Sequence, residues 1–128
     1  SELVRTTVDY LKTREQFGSK IGSFQVLQHR AVDMFNSLEL SRALVYRSAE
    51  TISNVDNAKN RARAASAAKV QIGRSGKLIG QQAIQLHGGM GMTDELSVSH
   101  YFKRLTMLGT LFGDTDHHLK RFVQLGEN

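Results

Sequence analysis

Gln85-Leu86-His87-Gly88-Gly89-Met90-Gly91 closes a stretch that runs from Val55 in small, apolar and basic residues at helical spacing. The glycine pair predicts the end of a helix of roughly thirty residues, and a bare backbone that another chain or a flat ligand can approach closely. Along that helix Ala58, Ala62, Ala65, Ile72, Ile79, Ala83 and Leu86 line up, with Gly73, Gly76 and Gly80 interspersed. Small residues let a neighbouring helix come near, at a propensity cost of about 1 kcal/mol per Gly relative to Ala. Upstream, Ser23 reads as an N-cap. Phe24, Leu27, Ala31, Met34, Phe35, Leu38, Val45 and Ala49 then recur at three- and four-residue steps to about Thr51, which predicts a buried stripe. A short loop, Ile52 to Asn54, makes these two helices antiparallel neighbours, each about 45 Å long at ~1.5 Å per residue.

The flanks extend the same pattern. A first helix is predicted from about Glu2 to Gln16, with Leu3, Val8, Tyr10 and Leu11 available for burial, before Gly18 and Gly22 break it. After the glycine run, Thr93-Asp94-Glu95 suits a helix start, and Leu96, His100, Lys103, Leu105 and Leu108 carry that helix to about Thr110. Asp114 or Thr115 caps a last helix with Leu119, Phe122, Val123 and Leu125, ending at Gly126. The expected fold is all-α: an up-down four-helix bundle with an additional C-terminal helix, with no strand, repeat or internal domain boundary.

Composition agrees. The 128 residues are 40% hydrophobic, enough for one core, and contain no Pro although average usage is about 5%. Long uninterrupted helices account for that. With no Cys there is neither a disulfide framework nor a Cys-based metal site, which is compatible with a reducing compartment. No apolar run approaches the ~18 residues of a membrane span and no basic-then-apolar leader opens the chain, so a soluble, cytoplasmic protein is expected. The charge is +5, from 17 Lys and Arg against 12 Asp and Glu. Its excess lies in Lys59, Arg61, Arg63, Lys69, Arg74 and Lys77, with no acidic residue between Asn57 and Thr93. Such a run is either a solvated helix face or an attractor for an anion such as a nucleotide diphosphate, coenzyme A or nucleic acid.

Four groups of residues bear on chemistry. Arg14-x-x-Phe17-Gly18 stands where the first helix ends; Arg14 either meets the helix dipole or pairs its planar fork with phosphate oxygens. Phe24-Gln25-Val26-Leu27-Gln28-His29 puts Phe24 and Leu27 at i and i+3, as core or as a wall for a ligand, while Gln28 and His29 read as helix-helix hydrogen-bonding residues. The Gln85 to Gly91 run is by itself a helix C-cap, and without a preceding strand it is no Rossmann turn. Asp114-Thr115-Asp116-His117-His118 looks like a metal or acid-base cluster. Adjacent helical histidines, however, diverge by about 100°, so no metal site is expected; capping with exposed histidines behind it is the simpler reading.

Taken in order and spacing, Arg14-Glu15-Gln16-Phe17-Gly18 and Gln85-Leu86-His87-Gly88-Gly89 resemble the C-terminal helical domain of acyl-CoA dehydrogenases, and the resemblance covers essentially the whole chain. It implies FAD contacts at Arg14, Phe17, Phe24, Leu27, Gln85, Leu86, Gly89 and Thr115, several of them across a subunit boundary. It also implies an acyl-CoA substrate, assembly as a homo- or hetero-tetramer, and an electron-transferring flavoprotein as redox partner. The family's N-terminal helical and middle β domains are absent. Residues 1–128 are therefore expected to be a single C-terminal domain of a longer flavoprotein, with the opening helix cut short at Ser1 and no turnover by the fragment alone.

In that family a carboxylate removes a proton beside the thioester carbonyl while hydride leaves for the flavin. Many members carry the base in Glu-Gly-Thr before the last helix. Anchored on Arg104 and Thr115, that segment falls on Gly113-Asp114-Thr115, so Gly113 stands at the Glu position and Asp114 is the candidate substitute, on a shorter arm and shifted by one residue. Other members carry the base on the helix that opens this domain, or pair a competent chain with a degenerate one. Leu111 to His118 resembles a divergent bacterial branch acting on steroid, dicarboxylic or other bulky acyl-CoA substrates. The readings left open are thus a catalytic chain, a non-catalytic partner subunit and, outside the family, a basic module binding nucleic acid through Lys59 to Lys77.

Overall fold

The computed structural model describes residues 1–93 and 96–127. Its helices are α1 (Glu2–Thr13), α2 (Gln25–Asn54), α3 (Ala58–His87), α4 (Ser97–Thr110) and α5 (Thr115–Gln124), with 3-10 turns at Ile21–Ser23 and Gly88–Met92. The expected bundle with an additional C-terminal helix is present. α3 is its axis, packing against each of the other four helices.

The α2–α3 hairpin is held in register by polar side chains. Arg30 Nη1 donates to Gln82 Oε1 (3.1 Å), Ser37 Oγ to Ser75 Oγ (2.9 Å) and Ser48 Oγ to the Ala64 carbonyl (3.1 Å). The two residue numbers have the same sum in all three pairs, so the helices run antiparallel without slip. Asn57 starts α3, its Oδ1 accepting from the amides of Lys59 (2.9 Å) and Asn60 (3.2 Å). The connecting loop therefore lies at residues 55–57, three positions later than expected.

The apolar core sits at one end, where Leu3, Val4 and Leu11 of α1 meet Ile79, Ala83 and Leu86 of α3, Met34 of α2 and Val98 of α4. Gly80 explains the closeness of α4: a Cβ there would stand 2.8 Å from Phe102 Cδ2, so the ring lies on bare α3 backbone.

Four expectations need correction. The α2 stripe is buried only in part: Met34 is enclosed and Leu27, Ala31 and Leu38 are partly covered, but Phe35 is 54% exposed and Val45 and Ala49 face outward. A helix flanked mainly on one side can bury one narrow face. Secondly, the chain contains a hairpin, β1 (Glu15–Gln16) and β2 (Ser19–Lys20), paired Glu15 to Lys20 and Gln16 to Ser19. α1 accordingly ends at Thr13 and not at Gln16, because Arg14 is extended (φ −69°, ψ 129°). Thirdly, Ser23 does not cap α2; its Oγ donates to the Lys20 carbonyl (2.7 Å), Phe24 holds the cap position, and Gln28 Nε2 reaches back to the Gly22 carbonyl (2.9 Å) and not to another helix. Finally, Thr93 Oγ1 closes the preceding 3-10 turn on the Met90 carbonyl (2.9 Å) and α4 starts at Ser97; Asp94 and Glu95 of the expected start lie outside the described residues.

Candidate functional site

Where α1 hands over to the hairpin and α3 to its glycine turn, a cavity of about 440 Å³ opens beside the core. Six of the residues singled out in the sequence line it together: Arg14, Phe17, Leu27, Gln85, Leu86 and Gly89. Phe24 stands beside them, edge-to-face with Phe17 at 6.3 Å between ring centroids.

Each arrives for a local reason. Arg14 is the first residue past α1: its amide still donates to the Tyr10 carbonyl (2.8 Å) and its carbonyl accepts from the Ile21 amide (2.9 Å), while the guanidinium has no partner among the described residues. Phe17 and Gly18 form the two-residue hairpin turn, both at positive φ (56° and 78°), which is the type I′ arrangement that matches strand twist. A left-handed conformation costs a non-glycine residue about 1–2 kcal/mol, yet the Phe17 side chain is not stored away in compensation; it is 90% exposed. Strain spent on presenting a ring to the outside is the pattern of a contact residue. Gly89 has open space where a Cβ would point, so the packing of this chain does not require glycine there.

The sequence reading gave no contact role to several other wall residues, Tyr10, His87 and Met90 among them. Tyr10, one helical turn before Arg14, stacks on His87 at 4.3 Å and 28°; His87 is buried, with Nδ1 2.8 Å from the Ala83 carbonyl, and Met90 lines the same cavity. The i, i+4 spacing of Tyr10 and Arg14 was the available signal.

Thr115 and Asp114 stand elsewhere. They line a second cavity, of about 540 Å³, between α3, α4 and α5, with Gly73, Arg74, Lys77, Phe102 and Leu105. From Gly73 to Leu86 is roughly 20 Å along the α3 axis, so the candidate residues fall at two places. Asp114 is the N-cap of α5, its Oδ1 accepting from the His117 amide (2.8 Å). Gly113 has φ 98°, and a Cβ on it would lie 2.5 Å from His117 Cδ2; this backbone does not carry a side chain at that position. The expectation of exposed histidines holds for His117 and fails for His118, which is 6% exposed and packs under the preceding turn because α5 presents that face to α3. Among the described residues no three His, Cys, Asp or Glu side chains stand close enough to share a metal ion, and no helix is long and apolar enough to cross a membrane.

Much of the basic run works inside the chain. Arg61 Nη1 donates to the carbonyls of Val55 (3.1 Å) and Asp56 (3.0 Å), Lys59 Nζ to that of Glu127 (3.1 Å) and Lys69 Nζ to that of Leu111 (2.7 Å). Arg63 lies 4.4 Å above the Phe122 ring. These cations close loops and helix ends, whereas Arg74 and Lys77 line the second cavity.

A family model described as the C-terminal domain of acyl-CoA dehydrogenase matches residues 1–124. Acyl-CoA dehydrogenase IpdE2 of Mycolicibacterium smegmatis is 36% identical over 121 residues, 94% of this chain and 36% of the relative. The caffeyl-CoA reductase-Etf complex subunit CarC of Acetobacterium woodii is 36% identical over 96 residues, 75% of this chain and 24% of the relative. The solved FAD complex of PigA superposes with a TM-score of 0.86 at 29% identity, covering 95% of this chain and 31% of that one. The chain thus spans between 24% and 36% of the lengths of these proteins. It belongs to the acyl-CoA dehydrogenase family and matches that family's C-terminal domain.

Proposed function

We propose that this chain is the FAD-contacting, oligomerising domain of a longer acyl-CoA dehydrogenase, an enzyme that forms an α,β double bond in an acyl-CoA thioester. The observation that carries the reading is the first cavity: a guanidinium without a partner among the described residues, a strained and exposed phenyl ring and a bare glycine backbone converge there without any need of the fold itself. That combination fits a nucleotide. Arg14 would take the diphosphate, Phe17 with Phe24 and Leu27 the flat adenine side, and Gln85, Leu86 and Gly89 the adenosine, with Thr115 meeting the cofactor from the second cavity. FAD supplies a hydride acceptor. Exposed Val26, Leu40 and Tyr46 on α2 support assembly with further subunits, as a homo- or hetero-tetramer.

The protein's own residues do the positioning, and proton abstraction is where this chain is short. Gly113 offers no carboxylate and Asp114 already spends one oxygen on the α5 cap; its remaining oxygen can face the second cavity. We infer that Asp114 or an upstream carboxylate serves as base in a catalytic chain. A specific observation favours a second reading, a non-catalytic partner subunit: the backbone at Gly113 has no room for the usual Glu. An electron-transferring flavoprotein as redox partner is supported by the name of the CarC relative. A cytoplasmic setting, with neither membrane nor nucleic acid as partner, completes the proposal. The internal use of Lys59, Arg61, Arg63 and Lys69 counts against the nucleic-acid alternative.

The test uses the full-length flavoprotein, purified alone and co-expressed with any adjacent homologous chain. Arg14→Ala and Gly89→Val are expected to lower the flavin-to-protein absorbance ratio; unchanged flavin content in both would overturn the cofactor role. Activity of the homomer means that Asp114 or an upstream carboxylate serves as base, and activity appearing only with the partner means a shared site.

A further inference from the structure

The turn Leu111 to Asp114 is held from two helices at once. Lys69 Nζ on α3 donates to the Leu111 carbonyl at 2.7 Å, and His118 Nε2 on α5 lies 2.9 Å from the Phe112 carbonyl. A carbonyl only accepts, so Nε2 carries a proton. Nδ1 faces Ser66 Oγ at 3.4 Å, and the same hydroxyl receives Arg121 Nη1 at 3.2 Å. This polar chain links Arg121, which donates to Ser66, with His118, which donates to the Phe112 carbonyl. It is shielded, since Ser66 is 0% and His118 6% exposed.

What it holds is unusual backbone. Phe112 is left-handed (φ 58°) with its side chain 92% exposed, and Gly113 follows at φ 98°. The histidine rings occupy the space a side chain at 113 would take, with a Cβ there 3.2 Å from His118 Nε2. Asp114 comes next and lines the second cavity.

We propose that Lys69 and His118 are positioning residues for that cavity: by tying down two successive carbonyls of a left-handed turn they set where the Asp114 carboxylate stands in its wall. The consequence for catalysis rests on the function proposed above; the tie itself does not. Lys69 acts through the backbone and touches neither substrate nor cofactor.

The experiment compares Lys69→Met, which keeps length and loses the donor, with Lys69→Arg, which restores one, in the full-length flavoprotein. Amide hydrogen exchange is followed in the peptide spanning 109–118, with 14–20 as internal reference. Lys69→Met is expected to speed exchange in 109–118 by about tenfold, the loss of a charged hydrogen bond, with 14–20 unchanged and Lys69→Arg near the parent. With acyl-CoA as substrate, kcat should fall while KM stays within about twofold, the signature of lost transition-state placement. Parental exchange in 109–118, or an equal rise in both peptides, overturns the tie whatever happens to the flavin. A loosened turn with unchanged kcat and KM overturns its link to the site and leaves the cofactor reading to the Arg14 variant. If Lys69→Met does not fold, Lys69→Ala, which also lacks a donor, carries the same comparison.

Discussion

Two Phe-Gly turns in this molecule share a backbone and differ in what maintains it. Phe17 and Phe112 both sit near φ 57°, at 56° and 58°, each followed by a glycine at positive φ, and their side chains are 90% and 92% exposed. The first is closed locally, by the pairing of Glu15 with Lys20 and Gln16 with Ser19. The second has no ladder; side chains from positions 69 and 118 hold it. A strained contact residue can thus be sustained by its immediate neighbours or by the whole bundle, and the two solutions respond differently to mutation.

The glycines give the largest contrast. Gly113→Glu, which would place a carboxylate at this position, meets both a left-handed backbone and the His117 ring; we expect a loss of about 2–4 kcal/mol in chemical denaturation, and no gain in dehydrogenase rate. Gly18→Ala meets open space and only the backbone penalty, so about 1 kcal/mol is expected by the same measurement. Equal losses would erase the distinction between the turns. The smallest effect separates stability from use: Phe17→Gly relieves the left-handed side chain and should leave the fold equal or up to about 1 kcal/mol more stable, while flavin retention falls. A destabilised Phe17→Gly protein would mean that the ring supports the fold itself.

How far the sequence reached follows from the range of the forces involved. The long helices, the α5 cap by Asp114 and the two motifs at Arg14 and at Gln85 were legible because each depends on residues within a turn or two, or on a motif order resembling a family. The hairpin at Glu15 was not, since a Phe at positive φ has no local signature and the run before it reads as helix. The burial of α2 was overestimated because periodicity tells which residues share a face but not whether a neighbour covers it. Lys69 was legible as a charge and illegible as a partner of Leu111, forty-two positions away.

Helix number, the antiparallel helical hairpin and the residue types gathered in the Arg14 and Gln85 motifs were determined by the sequence itself, through spacing and capping that act over one or two helical turns. Tertiary structure alone decided that Arg14 and Gly89 share a cavity, that Asp114 and Thr115 lie at a different one, and that His118 is buried beneath the Phe112 turn. Those outcomes depend on which helix lies across which, and contacts between residues distant in the chain, such as Ser66 with His118 and Gly80 with Phe102, specify that crossing only once the bundle has closed.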